Sequence, residues 1–269
     1  TVIENKLYMY IQGGSVVYVL APTAIDEFNA ITITTISPNF LNMVGQMGIF
    51  RANGRLGFWD SANSVSWSSA LDLADFSPSV TTLAGNGIFT GIRGRIINIL
   101  PQGDGFIIYT TKNIVGVRYT AKDNFLWEAN SVIESAGIVL PTEVTFGTSD
   151  LEHYAWTSSG IKKIGLFDIV SRQQKVEEVF THIFDLVKEA RDPVYHQFIN
   201  GRYLFISTVS NTYIDGKISF VWDSTGEIVV QVLTGGDYWD PDITVPPFTY
   251  LNRTVKPVIV IDPLNTEVP

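Results

Sequence analysis

A five-residue phrase recurs along this chain about every 50 residues, and it constrains the fold more than any other feature. Its copies are Trp59-Asp60-Ser61-Ala62-Asn63, Tyr109-Thr110-Thr111-Lys112-Asn113, Trp156-Thr157-Ser158-Ser159-Gly160 and Trp222-Asp223-Ser224-Thr225-Gly226. Each reads aromatic, Asp or Thr, Ser or Thr, any residue, then Asn or Gly. An Asp or Thr oxygen at the first turn position can accept a hydrogen bond from a backbone N–H two residues on. Asn or Gly at the last position tolerates positive φ. Together they predict a type I turn followed by a left-handed residue, a common join between antiparallel strands. The aromatic closes the incoming strand, where a flat ring packs across to the partner strand.

A second turn precedes each phrase. Asn53-Gly54 and Asn200-Gly201 are strong hairpin dipeptides, and both continue into arginine, Arg55 and Arg202. Gly103-Asp104-Gly105 holds the equivalent place in the second unit and Ser149-Asp150 a weaker one in the third. Gly13-Gly14, between Tyr8-Met9-Tyr10-Ile11 and Val16-Val17-Tyr18-Val19, reads as an earlier copy. The gaps between these turns, roughly 40 to 51 residues, fall in the range of propeller blades. The expected fold is therefore all-β, a β-propeller-like repeat of about five antiparallel blades in a single domain over residues 1–269. The unit at 200–226 fits with either an extra hairpin or a shifted register. The start at Thr1 directly before a strand-like run, and the proline-punctuated end after Lys256, read as a processed or excerpted piece of a longer polypeptide.

Two segments break the β pattern. Residues 70–92 form a long connection holding Asp72, Asp75, Pro78 and Gly85-Asn86-Gly87, of the length that marks surface or interaction loops. Residues 173–190 place Val176, Val179, Phe180, Ile183, Phe184 and Val187 at helical spacing, with Glu177, Glu178, Lys188 and Glu189 largely opposite and Asp192-Pro193 as the stop. One inserted amphipathic helix is expected there, docked on a sheet or on a neighbouring subunit.

Chemistry-bearing motifs are scarce. There is no cysteine, so thiolate metal sites and disulfides are excluded. No run of about 18 apolar residues is present, and no membrane-spanning helix is expected. Phosphate-binding loops, nucleophile elbows and His-Glu-x-x-His helices are all missing. His153, His182 and His196 lie too far apart to form a ligand set. Asp237, Asp240 and Asp242 cluster around Tyr238, Trp239 and Pro241, and such carboxylates either bind a hard cation or form an acidic surface turn. The net charge of −9 disfavours a general nucleic-acid binder; it fits ordinary solubility first, and next a conduit through which a polyanion slides without sticking. No catalytic, cofactor or metal residue is nominated.

The run Ala52-Asn53-Gly54-Arg55-Leu56-Gly57-Phe58-Trp59-Asp60-Ser61, then Val65-Ser66-Trp67-Ser68 and Asp75-Phe76-Ser77-Pro78, resembles tail proteins of short-tailed bacteriophages. Gly103-Asp104-Gly105-Phe106-Ile107-Ile108-Tyr109-Thr110 and Tyr154-Ala155-Trp156-Thr157-Ser158-Ser159-Gly160-Ile161 are of the same style, so the resemblance covers residues 47–165. Those proteins are propeller-bearing nozzles or DNA-stabilising plugs that form rings at the tail end. The resemblance implies a structural protein of the virion, not an enzyme. Its partners would be copies of itself and neighbouring tail proteins, with DNA passing through. The runner-up expectation is a carbohydrate- or receptor-binding propeller module whose ligand would be a host glycan. A propeller glycosidase or lyase, working through two carboxylates, comes third.

Overall fold

The computed structural model describes residues 1–22, 31–39, 42–122, 125–147, 149, 151–168 and 173–179, and the backbone of six later strands, 193–199, 203–210, 216–223, 228–234, 248–250 and 253–255. Among these the chain is all-β, with one 3-10 turn at Pro141–Glu143. The first sheet joins β1 (Val2–Ile3), β2 (Lys6–Tyr10), β3 (Val17–Pro22) and β4 (Ile31–Ile36). The second joins β5 (Gln46–Ala52), β6 (Arg55–Asp60), β7 (Val65–Trp67) and β8 (Gly85–Gly87). The third joins β9 (Ile96–Gln102), β10 (Gly105–Thr110), β11 (Ile114–Lys122) and β12 (Phe125–Ile133). The fourth joins β13 (Val144–Phe146), β14 (His153–Thr157), β15 (Gly160–Asp168) and β16 (Gln173–Val179). The fifth joins β17 (Pro193–Ile199), β18 (Tyr203–Ser210), β19 (Gly216–Asp223) and β20 (Ile228–Thr234), and β21 (Phe248–Tyr250) pairs with β22 (Arg253–Val255). In every four-stranded sheet spatial order equals chain order. This is the antiparallel meander of a propeller blade, and the repeat predicted from the turn phrases is present as five such sheets.

The chain divides into two compact units, Thr1–Pro141 with Gly165–Val176, and Thr142–Ile164 with Glu177–Pro269. In the first unit two apolar layers hold successive sheets together. Alternation along β6 sends Leu56 and Phe58 to one face and Trp59 to the other. Leu56 and Phe58 join Tyr8, Val17 and Val19 of the first sheet, closed off by Phe76. Trp59 joins Phe50, Phe106, Ile108, Val115, Val117 and Trp127 against the third sheet. The second sheet is thus buried on both faces. In the second unit β14 is buried along its length, with the His153 ring edge-on to Phe146 at 5.3 Å.

Three sequence expectations change. The helix expected over 173–190 is not formed at its start, because Gln173–Val179 is strand β16. Val176 and Val179 are three apart, a spacing that suits a helix face. The neighbouring strand β15 decides the matter by offering a partner for the backbone, and the charged Lys175, Glu177 and Glu178 suit an outermost strand. Residues 180–190 lie outside the described residues. Gly85-Asn86-Gly87, expected within a loose loop, is the fourth strand of its blade: Gly85 pairs with Trp67, and a Cβ there would sit 3.3 Å from the indole. A side chain at Gly85 would crowd that ring, which favours glycine at that position of the strand. Gly13-Gly14 follows β2 rather than β1; the first hairpin turn of that sheet is Glu4-Asn5, both at positive φ (47° and 60°). With that shift the first unit also has a period of roughly 50 residues. In the fifth sheet Asn200-Gly201 falls between the first two strands as in the second sheet, while the Trp222 phrase follows the third strand instead of the second. The register there is shifted by one strand.

Candidate interaction surface

The recurrent phrases are structural clips. Asp60 Oδ1 accepts from the N–H groups of Ala62 and Ser64, both at 2.9 Å, and Asn63 holds φ 64°. Asn63 then reaches the segment that opens the third sheet: its Nδ2 donates to Gly94 O at 2.8 Å and its Oδ1 accepts from Ile96 N at 2.9 Å. Thr110 Oγ1 plays the Asp60 part for Lys112 N and Asn113 N. Asn113 grips the same connection through Gly91 O and Arg93 N, and Ile138 N donates to Thr110 O at 2.9 Å. In the third copy Thr157 Oγ1 accepts from Ser159 N and donates to Gly160 O. Asn63 ties the second sheet to the third, while the other side chains close their own turns or hold the connection into their own sheet, so in these three copies the phrase is structural.

The connection from β7 to β8 is a built loop. Asn39 organises it: Oδ1 accepts from Phe76 N at 2.6 Å, while Nδ2 donates to Asp75 Oδ1 and Ser77 Oγ. Asp75 Oδ1 also takes Ser77 N, and these bonds, Asn39 foremost, hold its carboxyl below the usual carboxylate value. Further on, Ser79 Oγ accepts from Thr81 and Thr82, and Trp67 Nε1 donates to Leu83 O at 2.9 Å. With Phe76 sunk in the core as anchor, the loop presents Leu71 and Val80 to solvent at 95% and 87% exposure. Ile88, just past β8, is also exposed.

The larger apolar feature lies on the first sheet. One face packs on the second sheet through Tyr8, Val17 and Val19. On the other, register aligns Val2 with Leu7, Leu7 with Leu20 and Leu20 with Ile33, one apolar residue on each of four adjacent strands. Met9 pairs with Tyr18 in the next row, and Ile11 follows. Val2, Leu7, Met9, Ile11 and Ile33 are all exposed, Ile33 at 64%. No motif marks this face in the sequence. The sign was the strict alternation through Leu7-Tyr8-Met9-Tyr10-Ile11, in which both sets of alternate residues are apolar.

A polar recess of about 300 Å³ is lined by Asn130, Ser131, Val132, Phe167, Gln173 and Gln174. Arg118 lies over the Phe167 ring at 4.7 Å and forms an ion pair with Glu128. Gln174 Nε2 donates to Gln102 Oε1 at 2.7 Å, leaving Asn130, Ser131 and Gln173 as the outward polar groups. Among the described residues no three His, Asp or Glu side chains are grouped to hold a metal ion, and none of the helices is long and apolar enough to cross a membrane. Asp237, Asp240, Asp242 and His182 lie outside the described residues.

No family model matches the sequence and no curated protein matches it. Among solved structures, PorZ, a surface component of the type-IX secretion system of Porphyromonas gingivalis, is similar at 14% identity and TM-score 0.38, over 88% of this chain and 28% of that one. A luciferin-regenerating enzyme is similar at 10% identity and TM-score 0.46, over 86% and 72%. The WD40 β-propeller domain of Doa1 is similar at 12% identity and TM-score 0.42, over 88% and 68%. Likenesses this distant say nothing of activity. The sheets themselves define the class, a blade-repeat protein of the β-propeller type.

Proposed function

We propose that this chain is a structural assembly module, a tail-nozzle-type component of a phage virion that joins copies of itself into a ring and helps retain or conduct DNA. The observation that carries the reading is the apolar row Val2–Leu7–Leu20–Ile33 with Met9 and Ile11, because a blade face of this composition in water favours burial against another protein surface. The resemblance over residues 47–165 supplies the virion context, and the net charge of −9 suits a wall past which DNA moves. Light scattering coupled to gel filtration tests it. The expected result is a defined oligomer that Ile33→Glu combined with Met9→Lys converts to monomer without loss of β-sheet signal; a monomeric wild type at micromolar concentration would sink the proposal.

The recess beside Phe167 favours a second reading, a module that binds a polar ligand such as a host glycan. Two amides and a hydroxyl beside one aromatic ring are the groups that recognise sugar hydroxyls and an apolar sugar face. Glycan-array binding that disappears in Asn130→Ala would support it, and an array blank at all positions would remove it.

A further inference from the structure

Arg55 opens β6 and points, with Gly57 and Trp59, to the face that meets the third sheet. It is 5% exposed, and its Nε and Nη1 are buried with no hydrogen-bond partner. Its charge is felt by Tyr119, which pairs with Trp127 across β11 and β12, their rings 5.6 Å apart. Trp127 Nε1 is likewise buried and unpartnered. Glu128 is paired with Arg118, and Asp104, in the adjacent hairpin turn, is exposed. The layer between the second and third sheets therefore holds a permanent positive charge and three buried N–H donors, Arg55 Nε and Nη1 and Trp127 Nε1, that no acceptor among the described residues meets. Burial already presses the guanidinium towards giving up its proton, yet arginine stays charged in proteins. A buried cation without a partner is costly, and its planar fork matches the two oxygens of a carboxylate or phosphate.

We infer that Arg55, with the Trp127 indole N–H, forms a binding site for a small oxyanion, a carboxylate or a phosphate group. The site lies between the second and third sheets and is separate from the apolar face of the first, so it stands or falls independently of the assembly reading. Thermal unfolding tests it, with sodium chloride replaced by sodium acetate or sodium phosphate at constant ionic strength and pH 7. In the wild type at least one of the two anions should raise the midpoint saturably, by about 5 °C or more at a hundred times its dissociation constant. Acetate alone identifies a carboxylate site and phosphate alone a phosphate site. Arg55→Met should show no such rise, and in chloride its midpoint should equal or exceed that of the wild type, since it removes an unpaired buried charge. Arg55→Lys, which keeps the charge and loses the fork, should respond more weakly than the wild type. No rise with either anion in the wild type overturns the inference. So does an equal rise in Arg55→Met, the sign of a general salt effect. Should Arg55→Met fail to fold, titration calorimetry of the wild type with each anion decides: saturable heat supports the site and none refutes it.

Discussion

Asn63 combines a left-handed backbone with a carboxamide used at both ends, on Gly94 O and Ile96 N. The turn itself is legible in the five-residue phrase, because its chemistry is local. The bridge is not, since its partners lie 31 and 33 residues away and nothing in the phrase marks them. Asn63→Ala loses two hydrogen bonds and places a less tolerant residue at positive φ, for an expected loss of about 2–3 kcal/mol. Asn63→Gly relieves the backbone and still lacks the bonds, so about 1–2 kcal/mol is expected. Urea titration of the two variants measures the difference; equal loss would mean that the backbone term is negligible. Asp75 gives a pH test at the same scale. Its carboxyl is held below the ordinary value, chiefly by Asn39 Nδ2 and then by Ser77 N. The folded value lies below the unfolded one, so this contribution is complete above the unfolded value of about 3.9 and fades as pH falls through the folded value. Carbon-detected NMR should find Asp75 titrating below the ordinary aspartate value of about 3.9, and Asn39→Ala should move it back upward.

At the level of strands, two glycines face rings. Gly48 pairs with Trp59 and Gly57 with Phe50, and an added Cβ at either glycine would land on the ring opposite. The exchange is reciprocal: each strand gives a glycine and takes an aromatic, and Phe50 and Trp59, tilted 46° to one another, both join the layer facing the third sheet. Gly48→Ala should therefore displace a nearly buried indole and cost about 1–3 kcal/mol as overpacking. The tryptophan emission of the folded variant should also shift. A variant as stable as wild type, with unchanged emission, would show that the layer yields without cost. Existence and order of the strands were readable here because turn residues and alternation are local properties. Strand against helix was unreadable at Gln173–Val179. Two valines three apart share a helix face and fall on opposite faces of a strand, so the local period favours the helix, and the arbiter is a partner strand whose pairing no short-range period encodes. The β7–β8 loop falls between these cases. Its length was legible, whereas its shape depends on Asn39, more than 30 residues earlier.

Across the whole molecule, two opposing forces set any self-association. Each copy carries a net charge of −9, which repels its neighbours. The exposed row on the first sheet attracts through apolar burial, which salt does not screen. Raising ionic strength from about 0.02 M to about 0.5 M shortens the Debye length from about 20 Å to about 4 Å and removes most of the repulsion. If copies meet through the apolar face, the weight-average mass in sedimentation equilibrium should rise over that range. Ile33→Glu with Met9→Lys should flatten the dependence. An interface built from ion pairs behaves oppositely and dissociates as salt is added. Exposed pairs such as Arg93 with Glu134, at 3.9 Å, are of the kind that salt weakens. A mass that falls with salt would therefore move the interface off the first sheet and onto the charged surface, while leaving the blades and their turn clips as they are.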